Sequence, residues 1–527
     1  MHRRTPIGID IEMPELRIAD LTVVLVYIAG VTLLGCLMSR RTKTSTQFIA
    51  AGRSLPGWVV GLSIVGTFVS SISFVANPGK SYSSNWNAFV FSLSLPAAAW
   101  FATTFFVRWY RSTSQLTAYE RLEYRFGTWA RVYAATFNVL YHIGRVGTIL
   151  FTVSLAMSAL LDVPVTVLIV TLGILVIVYT LLGGIEAVIW TDVVQSVILV
   201  GGLLVCTALL IDRIPNGIAG LVQQAQSGPT NKLSLGSAEI GTQMFAAQTF
   251  WMTLAFGFFI NLQNFVADQT YVQRYFTTKS DAAANRSVWT GAIAYIPISA
   301  LLFFVGTALF VFYGSVEVLP EDSGGDKALP YFIATQIPAG LAGLLIAAVL
   351  AAAMSTVDSS LNSSATLLLC DIKRRFWPGS SDRSDLRFLR IATVGLGVVG
   401  ILAAIAMMSF KSALDAWWQI SGILSGGTLG LLLLARFTKI SGRGISIAGV
   451  VLGVVAIATV TIADYVTGNA EALGVSDGSL YRSLRTVRSY LHPQMAGLVG
   501  TAMILIVTLG LSRLAPSSDE PPGVSRG

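Results

Sequence analysis

Charge is scarce in this chain. Only 12% of its 527 residues are Asp, Glu, Lys or Arg, against about 25% in a soluble globular protein. An ordinary water-soluble domain is excluded. Histidine and cysteine are scarcer still, at three each. The histidines fall at positions 2, 142 and 492, with no nucleophile–base pairing around them, so an enzyme is not suggested. Cys36, Cys206 and Cys370 stand singly in or beside apolar runs. Without CxxC spacing they indicate neither a disulfide framework nor a metal knuckle, and read as small hydrophobes in packing. The alternating ten-residue segments of a membrane β-barrel are missing. So are the charge rings or repeated filter loops of a channel, and the soluble signalling domain of a sensor.

Apolar sequence is what abounds. The hydrophobic share is 54%, the mean hydropathy is +0.69, and runs of about 20 apolar residues recur along the chain. The expectation is an all-α polytopic membrane protein with about thirteen transmembrane helices of roughly 20 residues or more. Their approximate limits are 18–38, 57–78, 86–107, 129–160, 164–182, 186–211, 245–266, 288–313, 338–369, 389–408, 414–436, 443–463 and 495–513. The first run is full length and lacks a small-residue cleavage site, so it is expected to stay as an anchor.

The net charge of +8 could suit nucleic acid, but in a membrane protein positive charge collects in cytoplasmic loops. The loops "SRRTKTSTQFIAAGRS", "VRWYRSTSQLTAYERLEYRFGTWAR", "VQRYFTTKSDAAANR" and "DIKRRFWPGSSDRSDLRFLR" fall on one side of the thirteen-span arrangement. The N-terminus is therefore expected outside and the C-terminus in the cytoplasm. Arg3, Arg4 and the outer segment "YRSLRTVRSY" run against that bias, with acidic Asp10, Glu12, Glu15 and Asp20 near the first pair. Residues 464–494 are expected to hold an interfacial helix, and 514–527 a disordered tail.

Polar groups inside spans are costly unless they pair, face water or bind something. The stretch "AAAMSTVDSSLNSSATLLLCDI" (351–372) is therefore informative. Ser355, Asp358, Ser359 and Asn362 share one helical face, and Thr356, Ser360 and Ser363 lie on a neighbouring stripe. Hydroxyls with one carboxylate suit a hard cation; the structural alternative is close helix packing through small polar residues. Asp192, in "LLGGIEAVIWTDVVQSVILV", follows a tight reversal at the glycine pair and lies too deep for a helix-end charge. It calls for a cation, fixed or transported. "GWVVGLSIVGTFVSSISFVANPGK" is Ser-rich at mid-span and is expected either to break, exposing carbonyls as ligands, or simply to kink. Arg145, near His142 in an apolar span, needs either an anionic ligand or a membrane carboxylate.

Taken together, "GRSLPGW" (52–58), "GGIEAVIWTDVVQ" (183–195), "DQTYVQRY" (268–275) and "AAAMSTVDSSLNS" (351–363) resemble the sodium:solute symporter family, from about residue 20 to residue 440. "YERLEYRFG" (119–127) and "YHIGRV" (141–146) bring the likeness nearest to bacterial sialic acid transporters. The resemblance implies a leucine-transporter-like inverted repeat of two five-helix units, 57–211 and 245–436, joined by an extracellular loop at 212–244. Residues 1–56 would hold the outer tail, anchor helix and first cytoplasmic loop, and 437–513 two additional helices. It implies Na+ as coupling ion, held by the carbonyls of Gly66, Val69 and Ala352 and the hydroxyls of Ser355 and Thr356. A candidate second cation site falls on Asp192, Ser355, Asp358 and Ser359, where Asp358 replaces a frequent Ser.

For the solute, the resemblance implies Arg145 as the carboxylate anchor, with Ser70 and Ser73 as hydroxyl positions. Phe68 stands where a third hydroxyl is usual, and Ser92 where a glutamine is. Against the sugar-transporting relatives, Ser73 and Asn85 depart, and Asn261 persists. The expected partners are a small-molecule substrate, sodium ions and the bilayer of the cell membrane, with no nucleic acid and no obligate protein partner. A neutral sugar or polyol is the competing substrate class.

Overall fold

The computed structural model describes residues 17–39, 42–113, 115–161, 163–227, 231–319, 325–409, 413–470 and 478–514. Arg3, Arg4, Asp10, Glu12, Glu15 and all but the first residue of the expected 514–527 tail lie outside those ranges. The principal helices are α1 (Ile18–Ser39), α2 (Gly57–Phe68), α3 (Ser71–Ser83), α4 (Trp86–Arg111), α5 (Thr128–Leu161), α6 (Val165–Arg213), α7 (Phe250–Val266) and α8 (Gln269–Thr277). They continue with α9 (Asp281–Ser315), α10 (Leu341–Leu367), α11 (Asp382–Met407), α12 (Ala413–Phe437), α13 (Arg443–Gly468), α14 (Ser479–Tyr490) and α15 (Ala496–Leu514). No strand occurs among the described residues; Leu55 N donates to Thr277 O at 3.0 Å as an isolated bridge.

Among the described residues nine helices are long and apolar enough to cross a membrane, or eleven if each of two bent pairs is one span. The bent pairs are α2 with α3, at 56°, and α7 with α8, at 46°. Shorter apolar stretches are Val165–Val178 and Gly426–Phe437. At the glycine pair, where a tight reversal is expected, α6 is broken by a kink at Gly184, which adopts φ +59°. A Cβ there would also lie 2.9 Å from Phe48 Cα, so the turn needs glycine for both conformation and room.

Burial separates centre from periphery. The most apolar window of α1 is 17% buried, whereas that of α10 is 89% buried. Leu25, Val26 and Leu33 of α1 face outward, as lipid-contacting residues do. The hydroxyl-rich α10 is enclosed by α6, α5, α1 and α11, so its polar face looks into protein. Asp20 of α1 holds its start: one carboxylate oxygen accepts from Gly340 N and Gly343 N, each at 2.7 Å. Those are two donors a helix N-terminus otherwise leaves unpaired.

One expectation needs correcting. The charge pattern puts "VQRYFTTKSDAAANR" in a cytoplasmic loop, but its first part lies in α8, all nine residues of which are buried. Arg274 is fully enclosed and cannot count as loop charge. Hydropathy alone misplaces α8, because its polar side chains are satisfied by tertiary hydrogen bonds rather than by water. The segment 464–494 does contain a helix, α14, whose residues are mostly exposed.

Candidate functional site

The break between α2 and α3 falls at Val69–Ser70. Val69 leaves the helix at φ −86°, ψ 89°, and Ser70 caps α3 by accepting from Ser73 N at 3.3 Å. Among the described residues neither the Gly66 nor the Val69 carbonyl accepts a backbone hydrogen bond. Opposite them runs α10. A Cβ on Gly66 would stand 2.8 Å from Ser355 Oγ, so glycine lets the two helices meet there. Thr356 Oγ1 donates to Ala352 O at 3.2 Å. Of the expected main cation ligands, Gly66 and Ser355 thus meet across a buried contact. They are carbonyl and hydroxyl oxygens, the donor set a hard monovalent ion takes. No cluster of three or more His, Cys, Asp or Glu occurs among the described residues.

Asp192 is fully buried in α6, and its cation is fixed. Arg274 Nη2 lies 2.8 Å from its Oδ2. Ser355 Oγ donates to Oδ1 at 2.5 Å, and Ser63 Oγ donates to Oδ2. Arg274 Nη2 also donates to Ser359 Oγ at 2.7 Å, and Nε to Ser63 Oγ at 2.9 Å. Asp192 and Ser359, two of the four expected second-site residues, are therefore joined through a guanidinium that sequence reasoning did not single out, and Ser355 is tied in by its own bond to Asp192. The signal was available in "DQTYVQRY", a charged motif between apolar runs, but nothing in it names a partner 82 residues away. Asp358 lies on the same enclosed helix, next to Ser359 and fully buried.

Arg145 projects from α5 into a cavity of about 220 Å³ beside the break. Phe68, Ser70, Ser73 and Ser92 line the same cavity, with Asn77, Tyr141, Asn264, Tyr271 and Tyr295. Tyr141 lies one turn before Arg145, and that spacing could have flagged it. Phe68 closes one wall by packing on Phe265, Tyr271 and Tyr295, with ring centroids 5.5, 4.9 and 5.3 Å apart. Ser92 Oγ lies 2.8 Å from Ser299 Oγ. Asn261 is not on that wall. Its Nδ2 donates to Phe91 O at 3.2 Å and Ser94 Oγ at 2.9 Å, tying α7 to α4. Ile260, Gln263 and Asn264 supply the cavity face of α7, a spacing that turns Asn261 away. Asn85 caps the turn at Trp86–Phe89 by accepting from Asn87 N.

The guanidinium of Arg145 is held but not saturated. Nη2 donates to Thr67 O at 3.0 Å, at the carbonyl end of α2 where positive charge is favoured. Nη1 stands 3.7 Å from Asp268 Oδ2. Both of those atoms are buried without a hydrogen-bond partner among the described residues, so the pair is an electrostatic contact only. The other Asp268 oxygen accepts from Thr270 N at 2.8 Å and lies 3.2 Å from His142 Nε2.

Comparison with known proteins places the chain in a family. A model of the sodium:solute symporter family matches residues 48–453. The sodium/sialic acid symporter SiaT of Proteus mirabilis is 34% identical over 82% of this chain and 87% of its own length. The sodium/sialic acid symporter NanT of Aliivibrio fischeri is 33% identical over 81% and 85%. A solved structure of a sodium-coupled sialic acid symporter, substrate-bound and outward-open, superposes with a TM-score of 0.83 at 29% identity, covering 95% of this chain and 98% of that one. With its broken helices, hydroxylated central helix and family match over most of its length, the chain belongs to the sodium:solute symporter family.

Proposed function

We propose that this protein imports a carboxylate-bearing solute, sialic acid or a related organic anion, in symport with Na+ across the cell membrane. The observation carrying this reading is the buried Nη1 of Arg145 beside the cavity, without a hydrogen-bond acceptor. A guanidinium fork and a carboxylate match through two parallel hydrogen bonds. The relatives named above that carry sialic acid support the same class.

In this reading the two bent pairs open two inverted five-helix repeats, at 57–211 and 245–436, with solute and ion meeting near the bilayer midplane. Counting each bent pair and each shorter apolar stretch as one span gives thirteen, with the N-terminus outside and the C-terminus in the cytoplasm. The main Na+ would lie among Gly66, Val69, Ala352, Ser355 and Thr356. A second ion at Asp192, Ser355, Asp358 and Ser359 would have to share oxygens with Arg274. Ion and solute each stabilise the same outward-open arrangement, and so each raises the other's affinity. Each charge carried inward through 100 mV contributes about 2.3 kcal/mol.

The contact between Arg145 and Asp268 favours a second reading, a neutral sugar or polyol, with Arg145 satisfied internally. Uptake of labelled sialic acid into proteoliposomes separates the two. Arg145→Ala should nearly abolish sodium-driven uptake. Arg145→Lys should weaken affinity by about tenfold or more, because it disturbs charge-assisted bonds of roughly 1.5–3 kcal/mol each. Robust transport of a neutral sugar, undiminished in Arg145→Ala, would establish the second reading.

A further inference from the structure

The segment between α13 and α15 carries the charge that fits the transport reading least. α14 reads "SLYRSLRTVRSY", with three arginines and no acid among its 12 residues. In the thirteen-span reading it lies on the outer side, where loops are poor in Lys and Arg. Its arginines are of two kinds. Arg488 is committed to the protein: Nε lies 2.9 Å from Asp464 Oδ1, and Nη1 donates to Ala246 O at 3.2 Å. Arg482 and Arg485 are exposed and have no acidic partner among the described residues. The turn of the helix explains the division. Leu484 is buried, and Val487 packs on the cluster of Ile457, Val460 and Ala496. Arg482 and Arg485, three residues apart, share the face turned away from that contact. Like charges at this spacing repel, and an anion bridging the two guanidiniums reverses the repulsion.

The neighbouring helix says what that anion is. Val451, Val455, Ile462 and Tyr465 of α13 are exposed and recur at i, i+4, i+11 and i+14, so they form one apolar stripe along the helix. The stripe ends at Tyr465, the kind of side chain that collects at a membrane–water boundary. Asp464 is its immediate neighbour, so the ion pair with Arg488 fixes α14 at that level. Leu480 at one end of α14 and Tyr490 at the other are exposed as well, which gives the arginines an apolar flank on either side. Basic side chains set between apolar ones at headgroup depth match an anionic lipid, with phosphate on the guanidiniums and acyl chains on the apolar surface. A free anion would use the arginines and leave the flanks in water.

We infer that α14 is a docking site for an anionic phospholipid, its phosphate held between Arg482 and Arg485 and its acyl chains laid on the stripe of α13. The site is joined to the transport core by fixed bonds. Besides Arg488 to Ala246 O, His492 N donates to Phe245 O at 2.7 Å, and both acceptors lie in the chain entering α7. The test is native mass spectrometry of the purified full-length protein titrated with phosphatidylglycerol or phosphatidylcholine. Wild type should retain phosphatidylglycerol in preference to phosphatidylcholine. Arg482→Gln combined with Arg485→Gln should weaken that retention by about 25-fold, at about fivefold for each arginine near a headgroup layer. Lysine at both positions should keep most of it, because the attraction follows charge. Arg443→Gln, an exposed arginine at the other end of α13, should change nothing. Inorganic phosphate at the same concentration should not displace the lipid. Equal retention by wild type and the double glutamine variant overturns the site. Equal retention of the two lipids by wild type also overturns it, since the face is then ordinary bilayer contact. Displacement by inorganic phosphate overturns the lipid assignment and leaves a simple anion site.

Discussion

At Val69–Ser70 the chain interrupts an apolar helix and leaves the carbonyls of Gly66 and Val69 without backbone donors among the described residues. At Ala267–Asp268 it interrupts another and fills the gap with its own carboxylate, which caps Thr270 N and faces His142 and Arg145. The segments that follow differ in the same sense. α3 lines the solute cavity with Ser70, Ser73, Asn77 and Lys80. α8 is enclosed, and most of its polar groups are bonded within the protein, Gln273 Oε1 excepted. Gln269 donates to Leu116 O, Gln273 to Ile49 O and Asn362 Oδ1, and Arg274 to Asp192 and Ser359. Burying so many polar groups is tolerable only when most of them find partners. One break thus leaves its carbonyls without backbone donors among the described residues and can be called open, while the other is bonded within the protein and can be called a lock. Phe68 packed on Phe265 joins the two breaks directly.

The strongest way to break this contrast is to open the lock. Arg274→Ala leaves the Asp192 carboxylate buried without its charge partner, at a cost of about 3–5 kcal/mol. Low yields of monodisperse protein and a markedly lower Tm are expected. Arg274→Gln combined with Asp192→Asn should recover most of the loss, because no charge is then stranded. If Arg274→Ala is as stable as wild type, α8 is not the lock described here.

Asp268→Asn is a gentler probe of the same break. The amide oxygen can still cap Thr270, but the negative charge near Arg145 is gone. A solute carboxylate then meets less internal competition. Affinity for the anionic solute should tighten by up to about tenfold, or about 1.4 kcal/mol, while Tm falls modestly. Weaker affinity would show instead that Asp268 orients the guanidinium.

The open break was largely legible in sequence, and the lock was not. Ser-rich mid-span sequence, the hydroxylated face of α10, the reversal at Gly184 and the isolated Arg145 each conflict with an apolar surround, and such conflicts can be seen locally. Asp192 announced that it needed a cation, but only folding identifies Arg274 as that cation. α8 reads as a polar loop because hydropathy scores a residue as if water were its only partner. Asn261 stands apart for another reason: its type suits a sugar site, but its amide bonds to Phe91 O and Ser94 Oγ of α4 and does not line the cavity.

The open break should respond to sodium rather than in overall stability. Thr356→Ala removes a hydroxyl whose recorded bond is to Ala352 O within its own helix. A lost ligand worth about 0.5–1.5 kcal/mol should raise the sodium concentration for half-maximal uptake by about two- to twelvefold. Ser355→Ala is less clean, since it also cuts the bond to Asp192. Unchanged sodium dependence in Thr356→Ala, with normal expression, removes that residue from the ion site.

The smallest effect is expected at Ser70, where the capping role and the solute role coincide. Its hydroxyl accepts from Ser73 N and also lines the cavity. Ser70→Ala deletes both functions, and loss of a cap costs about 1 kcal/mol. Ser70→Gly deletes the hydroxyl too, but glycine at a cap costs only a few tenths of a kcal/mol. If the open break serves the solute, Gly should restore Tm without restoring affinity. If Ser70 merely starts α3, both properties should return together, and the hydroxyl leaves the solute site. The comparison of the two substitutions separates a structural cap from a ligand at one atom, which neither substitution does alone.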